Sequence, residues 1–570
     1  MRLSETAKII LERRYLRKKA DGSRETIEEL FYRVSNAVAA AEKMINPQLS
    51  STQVNKIRDT FLQMLTSLDF LPNSPTLMNA GTKLGQLAAC FVLPVEDSIE
   101  GIFNAVKEAA LIQKSGGGTG FSFSRIRPKG APVTSTGGIA SGPLPFIKVF
   151  DSAAEAIRQG SARSGANIAV LRVDHPDIKE FISLKSKPGT LRNFNISVGL
   201  TKEFMEALEN DGFYNLHFNG KVYNRFKAWD VFSLIVEHAW SNGEPGIIFL
   251  DRLNEGNPTP ALGEIEATNP CAEQPLLPYE ACNLGSINLS NMVRNGQVDW
   301  GHLAETVEWS VRFLDNVIEI NKFPLKKITE MVQSNRKIGL GVMGWADMLF
   351  KLRLPYNSNQ AVELAEKVMA FIQEKAHAVS SALAEKRGDF PNIDISVYRG
   401  QRRRNATCTT IAPTGTISMI AGTSPGIEPV FALVQTRRIL DDYAVTQMNP
   451  VFEKYLTENF ERTTRDRILQ EVKRRGSLQQ VEGVPEEMKR VFVTAWDISP
   501  EWHVRMQAAF QAHCDNAVSK TINLRPTATK EEVRKAFLMA YHLGCKGCTV
   551  YRAGTREEDV VVPGACCNCR

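Results

Sequence analysis

"ATNPCAEQPLLPYEACNLGSINLS", residues 267–290, holds two cysteines eleven positions apart, Cys271 and Cys282. Asn269 and Glu273 flank the first at two residues on either side. In extended or loop backbone, residues at that spacing point to one side, so Asn269, Cys271 and Glu273 are expected to share a face. A carboxylate raises the pKa of a neighbouring thiol, and such a thiol is a poor thiolate nucleophile. The grouping suits a sulfur working as a neutral thiol or a thiyl radical, with the carboxylate as general base on a neighbouring hydroxyl. The plain alternative is a loop around a buried structural cysteine.

Outward from this stretch, short apolar runs alternate with helical segments. "NIAVLRV", "FNISVGL", "GIIFL", "SINLS", "CTTIAP" and "CTVYR" read as buried strands. Between them lie helices such as "SNQAVELAEKVMAFIQEKAHAVSSAL", N-capped by Ser358, with Leu364, Val368, Ile372, Val379 and Leu383 on one face. The alternation predicts an α/β core. Residues 1–70 read as three amphipathic helices. In "ETIEELFYRVSNAVAAAEKM", Ile27, Leu30, Val34 and Val38 recur at helical spacing, whereas Ser4 followed by Ala7 makes a weak cap. The expected organisation is a helical region 1–70, a catalytic body 71–555 and a flexible cysteine-bearing tail 556–570.

At 570 residues, 43% hydrophobic and 23% charged, the chain has the balance of a globular enzyme with a large core. A net charge of +6 and a pI near 8.7 are too weakly basic to indicate nucleic-acid binding, and they suit an anionic small substrate. No apolar run approaches the roughly eighteen residues of a membrane span. The N-terminal sequence has no signal-peptide pattern. The expected location is the cytoplasm, where the ten cysteines stay largely reduced.

Three further motifs bear on chemistry. "SGGGTGFSFSRIRPKG", residues 115–130, allows close backbone approach to a ligand, but lacks the Gly-Lys-Ser/Thr of a phosphate-binding P-loop. Standing alone, it is better explained by a tight helix-to-strand turn. "TIAPTGTISMIAGTSPGIEP", residues 410–429, runs from a strand into a helix start that suits a phosphate; a simple capped helix is the alternative. Cys566, Cys567 and Cys569 include a C-x-x-C pair suited to thiol–disulfide exchange. Cys545 and Cys548 form a second, and together the two pairs could bind zinc, though their spacing matches no zinc motif. No metal site is expected. Cys408 and Cys514 read as buried small hydrophobes, and His175 and His513 as structural.

Taken in order, "LPNSPTLMNAGT", "AACFVLPVEDSI", "SGGGTGFSFSRIRP", "NPCAEQPLLPYEACNLGSINL" and "APTGTISMIAGTSPGIEPVFAL" resemble the large catalytic chain of ribonucleotide reductase. The resemblance runs over nearly the whole chain and is strongest to the adenosylcobalamin-dependent class II. It implies a ten-stranded α/β barrel of two five-stranded parallel halves, antiparallel to each other, with a finger loop carrying the radical cysteine. It implies that Cys271 becomes a thiyl radical taking the ribose 3′ hydrogen, that Glu273 takes the 3′-hydroxyl proton, that Asn269 holds the ribose hydroxyls, and that Cys90 and Cys282 are the reducing pair. Ser74, Ala89, Gly116, Pro413, Thr414, Gly415, Thr416 and Ile417 match substrate-binding positions. Asp97, Ser98, Ile99 and Arg125 match the site of a deoxynucleoside triphosphate effector. Arg163 in "GSARSGAN" matches the loop that relays effector identity. Cys566, Cys567 and Cys569 resemble a tail that re-reduces the Cys90–Cys282 disulfide with a thioredoxin- or glutaredoxin-type partner.

Class I large chains carry two adjacent tyrosines near the C-terminus to relay a radical from a metalloprotein subunit. Here Val550 precedes Tyr551, so that relay is broken. Class III needs a glycyl-radical motif that the chain lacks. The implied cofactors are therefore adenosylcobalamin and the deoxynucleotide effector, and the implied assembly is a homodimer without nucleic-acid or membrane partners. Three alternatives remain: a class I-like subunit, an inactive nucleotide-binding regulator, and a thiol oxidoreductase using only the C-x-x-C pairs.

Overall fold

A computed structural model describes residues 3–133, 137–158, 166–440, 443–555 and 561–563. Three helices come first: α1 (Glu5–Arg14), α2 (Ile27–Ile45) and α3 (Ser51–Thr66). Thr26 and Glu29 cap α2 reciprocally, and Leu30, Phe31, Val34 and Val38 are its buried face. Ser4 does cap α1, accepting from the Ala7 amide at 3.1 Å.

Ten strands then form one sheet: β1 (Phe70–Pro72), β2 (Cys90–Leu93), β3 (Gly118–Ser122), β4 (Asn167–Arg172), β5 (Phe194–Leu200), β6 (Gly246–Phe249), β7 (Ala281–Asn288), β8 (Ile338–Met343), β9 (Thr521–Leu524) and β10 (Gly547–Arg552). β2 to β6 pair in order, all parallel. β7 pairs parallel with β8, and β9 with β10. The halves meet antiparallel at β2–β7 and at β6–β10. Single parallel bridges, Leu340 to Thr409 and Ile411 to Val518, complete the ring. "CTTIAP" is therefore no regular strand; it is the middle member of the second half, held between β8 and the residues just before β9 by isolated bridges. β1 lies outside the ring against β7. "SINLS" is the end of β7, and its last two residues enter a 3-10 turn, Leu289–Met292.

Alternation along the strands separates two cores. Cys90, Val92, Ile168, Val170, Ile248, Cys282 and Leu284 face one buried cluster inside the ring. Their neighbours Phe91, Leu93, Ala169, Leu171, Ile247 and Phe249 face the helices in another. Burial on both faces explains why the strands read as continuous apolar runs. The long helix α6 (Asn359–Arg387) starts at Ser358 as expected. Its buried face is Ala361, Ala365, Val368, Ile372, Ala376 and Leu383, while Leu364 and Val379 sit at its flank. Alanines at the contact bring the helix close to its neighbours.

Between β6 and β7 the chain enters the ring as a short ribbon, Ala267–Thr268 against Pro275–Leu276. Two of the inward positions of β3, Gly118 and Gly120, are glycines, which makes room for it. A Cβ on Gly120 would collide with the Thr268 carbonyl, and one on Gly118 would lie 3.1 Å from Pro270. The ribbon is tied to both halves. Asn195 on β5 donates to the Pro270 carbonyl (2.9 Å), and Thr410 Oγ1 and the Ala517 amide donate to the Glu273 carbonyl (2.8 and 3.0 Å).

Candidate functional site

Cys271 stands at the tip of this finger. The expected shared face of Asn269, Cys271 and Glu273 arises differently from a strand: the backbone turns at Pro270–Cys271, and Ala272 has φ 66°. The turn is closed by Ala272 N–H donating to Asn269 O (2.9 Å) and Gln274 N–H to Asn269 Oδ1 (2.9 Å). All three side chains line one cleft of about 290 Å3, together with Cys90, Ser74, Ala89 and Gly116 on one side and Pro413, Thr414, Gly415, Thr416 and Ile417 on the other. Cys282 lies directly opposite Cys90 across β2–β7, behind the cleft wall. Asn73, Leu284 and Ser286 also line the cleft and carried no separable sequence signal.

The Asn269 amide donates to Cys90 Sγ at 3.1 Å, and Cys90 Sγ lies 3.9 Å from Glu273 Oε1. The other carboxylate oxygen, Oε2, is buried without a partner. Burial pushes the Glu273 pKa up to about 7. Burial likewise holds the Cys90 thiol well above its ordinary value, reinforced by Glu273. The thiol beside the carboxylate is thus Cys90 as well as its sequence neighbour Cys271, and it is protonated.

At the far end, helix α7 (Gly415–Ala421) begins at Thr414, which has φ 54° and gives its first turn no side-chain cap. Thr414 Oγ1 instead accepts from Gly426 N–H (2.7 Å). The first-turn amides therefore receive no cap from this side chain. Tyr15, just after α1, hydrogen-bonds Ser74 Oγ at 2.7 Å, and α1 packs on α7. The N-terminal helices thus brace both ends of the cleft, a role no local motif announced.

Cys271, Pro270 and Pro413 also wall a second cleft of about 290 Å3 on the other side of the finger. Ser197, Glu244, Gln507, Ser519, Lys520, Cys548 and Thr549 line it. Lys520 is held by Glu428 (2.6 Å) and His503 Nδ1 (3.0 Å). Gln507 Oε1 is buried without a partner.

Asp97, Ser98, Ile99 and Arg125 converge at the start of helix α4 (Ile99–Lys114), which Ser98 caps. Asp97 binds Arg127 at 2.8 Å, a residue the motif reading missed. Arg125 bridges Glu96 (3.3 Å) and Glu266 (3.0 Å) at the root of the finger. Arg163, Cys566, Cys567 and Cys569 lie outside the described residues. Cys545 and Cys548 are both buried. His175 is structural, donating to the Ile126 carbonyl and accepting from the Asp177 amide. His377, Cys408 and Asp515 cluster, but Asp515 already accepts from His377, Gln373 and the amides of Cys408 and Thr409. This carboxylate anchors the ring-closing segment. No helix among the described residues is long and apolar enough to cross a membrane.

Comparison with known proteins returns one family. The sequence model of the ribonucleotide reductase all-alpha domain matches residues 1–85, and that of its barrel domain matches residues 88–403 and 399–551. The vitamin B12-dependent ribonucleoside-diphosphate reductase of Thermoplasma acidophilum is 52% identical over 523 residues, 91% of this chain and 68% of that protein. The enzyme of the same name from Mycobacterium tuberculosis is 46% identical over 570 residues, 99% of this chain and 81% of that one. Among solved structures, the alpha subunit of the class Id ribonucleotide reductase of Actinobacillus ureae superposes with a TM-score of 0.79 at 25% identity over 97% of both chains.

Proposed function

The chain belongs to the ribonucleotide reductase large-chain family, class II, and from that premise we propose how its residues carry the reaction. It reduces ribonucleoside diphosphates to 2′-deoxyribonucleotides with adenosylcobalamin as cofactor and a deoxynucleoside triphosphate as effector. The observation that carries the residue roles is the convergence of Cys271, Cys90, Asn269 and Glu273 in one cleft, with Glu273 Oε2 buried and unpartnered.

The diphosphate sits at the uncapped start of α7, on Thr414, Gly415, Thr416 and Ile417, with Ser74, Ala89 and Gly116 along the nucleoside. Cys271, as thiyl radical, takes the 3′ hydrogen. Glu273 accepts the 3′-hydroxyl proton, a task matched to a pKa near 7. Asn269 holds the ribose hydroxyls. Cys90, which lines the cleft where Cys282 does not, gives its proton to the departing 2′-hydroxyl, which leaves as water. The two electrons come from Cys90 and Cys282, which end as a disulfide. Their opposed positions on adjacent antiparallel strands suit that bond.

The second cleft fits part of a corrinoid cofactor. It reaches Cys271 from the side away from substrate, and Gln507 Oε1 waits there for a donor. Gln507, Ser197, Ser519 and Thr549 would hold the group; when bound, it supplies the radical source by cobalt–carbon homolysis. The reading that needs a metalloprotein subunit is disfavoured by Val550, which leaves Tyr551 without a tyrosine neighbour in β10.

Asp97, Ser98, Ile99, Arg125 and the Arg163 loop would bind the effector. The tail thiols Cys566, Cys567 and Cys569 would re-reduce the disulfide with a thioredoxin- or glutaredoxin-type protein. The division into 1–70, 71–555 and 556–570 follows these roles. A homodimer is supported by the exposed Ile99, Phe103 and Leu111 on α4. A cytoplasmic setting follows from the same reading, since the reducing pair must be returned to thiols between turnovers. The test is an anaerobic assay of the purified chain with nucleoside diphosphate and dithiol. Deoxynucleotide should form with adenosylcobalamin alone; formation only with a metalloprotein subunit would overturn the class.

A further inference from the structure

Three side chains lie in a row across β2, β7 and β8. Cys90 is opposite Cys282. On the other edge of β7 the parallel register sets Asn283 beside Ile338, so one residue back Lys337 flanks Cys282. Lys337 and its counterion Glu280 are each 2% exposed, with Nζ to Oε2 at 2.6 Å. Glu280 is two residues before Cys282, hence on its side of the strand. Its carboxylate is fixed by the Leu277 amide (2.7 Å) and the Asn335 side chain (2.6 Å). Cys282 Sγ points toward the same place, 3.7 Å from the Lys337 carbonyl. A buried ion pair is costly to keep in an apolar interior. The ring could have held Lys337 and Glu280 as apolar residues, yet it spends them next to one of the two redox sulfurs and away from the substrate cleft.

Resting on the assignment of Cys90 and Cys282 as the reducing pair, we propose that Lys337, held by Glu280, is a positioning residue for regeneration. It makes Cys282 the leaving sulfur, so the incoming reductant attacks Cys90. A thiolate entering the cleft meets Cys90, since Cys90 lines the cleft and Cys282 does not. Attack along the sulfur–sulfur axis then expels Cys282 toward the ammonium of Lys337. The attacking sulfur bonds to Cys90 as the Cys90–Cys282 bond breaks, and the electron pair leaves on Cys282, which takes up a proton. The second thiol of the reductant, deprotonated, then attacks the mixed disulfide. It releases Cys90 as a thiol and leaves the reductant as its disulfide, two electrons having passed. Exchange is faster when the leaving thiol is the better thiolate.

The charged and titratable surroundings agree with that polarity. Burial raises the Cys282 thiol and Lys337 draws it back down against Glu280 and Glu273. Burial also raises Cys90, and there Glu273, Cys282 and Cys271 all add to the rise. Among the described residues, the cation Lys337 acts on Cys282, and no cation is among the main groups acting on Cys90.

The test uses the full-length enzyme oxidised by exhaustive turnover without external reductant, so that the tail thiols and the active-site pair are both spent, then treated with the monothiol mercaptoethanol. Free thiols are alkylated and the peptides mapped. Mercaptoethanol should be found on Cys90, with Cys282 alkylated; mercaptoethanol on Cys282 overturns the proposal. In a second arm, Lys337→Met should slow reduction of the oxidised enzyme by dithiothreitol about tenfold. Lys337→Arg should recover much of the rate. Deoxynucleotide formed in the first turnover of pre-reduced Lys337→Met should match wild type. An unchanged reduction rate, or a first turnover lost in parallel, shows the ion pair is only structural and overturns the proposal. If wild-type turnover leaves no Cys90–Cys282 disulfide, the assignment of the reducing pair falls and takes this inference with it, a result separate from either outcome above.

Discussion

Glu273 shows how a single side chain carries both function and cost. It is 2% exposed, one oxygen has no partner, and its pKa stands near 7 against about 4.3 in an unfolded chain. A folded pKa raised above the unfolded one gives stability that is fully present below the unfolded value and is lost as pH rises through the folded one. By pH 8 the loss is about 4 kcal/mol, taking roughly 1.4 kcal/mol per unit. Glu273→Gln should therefore stabilise the protein, more at pH 8 than at pH 5.5, while nearly abolishing turnover. Urea melts of both proteins at the two pH values measure it. A stability difference that does not grow with pH would mean that Glu273 is not held protonated by burial. The triplet Asn269, Cys271 and Glu273 was legible because spacing alone groups it. That Asn269 and Glu273 also hold Cys90 was not, because residues 90 and 273 meet only through the fold.

At the scale of elements, the glycine run gains a meaning that neither sequence reading gave it. Gly116 lines the substrate cleft, but Gly118 and Gly120 act as absences, two inward positions of β3 emptied for the finger. Gly120→Ala should displace Thr268 and with it the tip that carries Cys271. Misplacing a reacting group by about 1 Å costs roughly 100-fold in rate. Turnover should fall by that order while circular dichroism and the stoichiometry of nucleotide binding stay close to wild type. Wild-type turnover in Gly120→Ala would separate the glycines from finger placement. Strands buried on both faces were readable as apolar runs. Thr409–Ile411 looked like one of them, and it is held instead by two isolated bridges and by Asp515, which no periodicity encodes. The seam between the N-terminal helices and the barrel is apolar, with Phe61 packed on Phe313, and carries an ionic network: Glu42 on α2 meets Arg312 and Arg387 at 2.7 Å, and Arg387 also reaches buried Asp315. Such a network is invisible until the partners are brought together from opposite ends of the chain.

Over the whole molecule, the proposed effector cluster and the exposed side of α4 adjoin. Asp97 and Ser98 sit at the start of α4, and Ile99, Phe103 and Leu111 follow with 64%, 50% and 41% of their surface exposed. Apolar side chains along one side of a surface helix cost free energy in water unless something covers them, and a second copy of the same helix can do so through a two-fold axis. The same cluster reaches the finger through Arg125, which bridges Glu96 and Glu266, one residue before the finger ribbon. An anionic effector would compete for Arg125 and free Glu266, so assembly, effector binding and finger position would be coupled. Coupling of this kind typically amounts to about 1–3 kcal/mol, or roughly 5- to 150-fold in relative affinity. Phe103→Glu puts a charge in the middle of this exposed face. It should shift the proposed homodimer to monomer by sedimentation velocity. It should also flatten the dependence of product ratios on effector when competing diphosphates are assayed, while effector-free turnover persists. Dimers that survive the substitution would move the interface elsewhere. Monomers that keep full effector control would show that the signal runs from Arg125 to the finger within one chain.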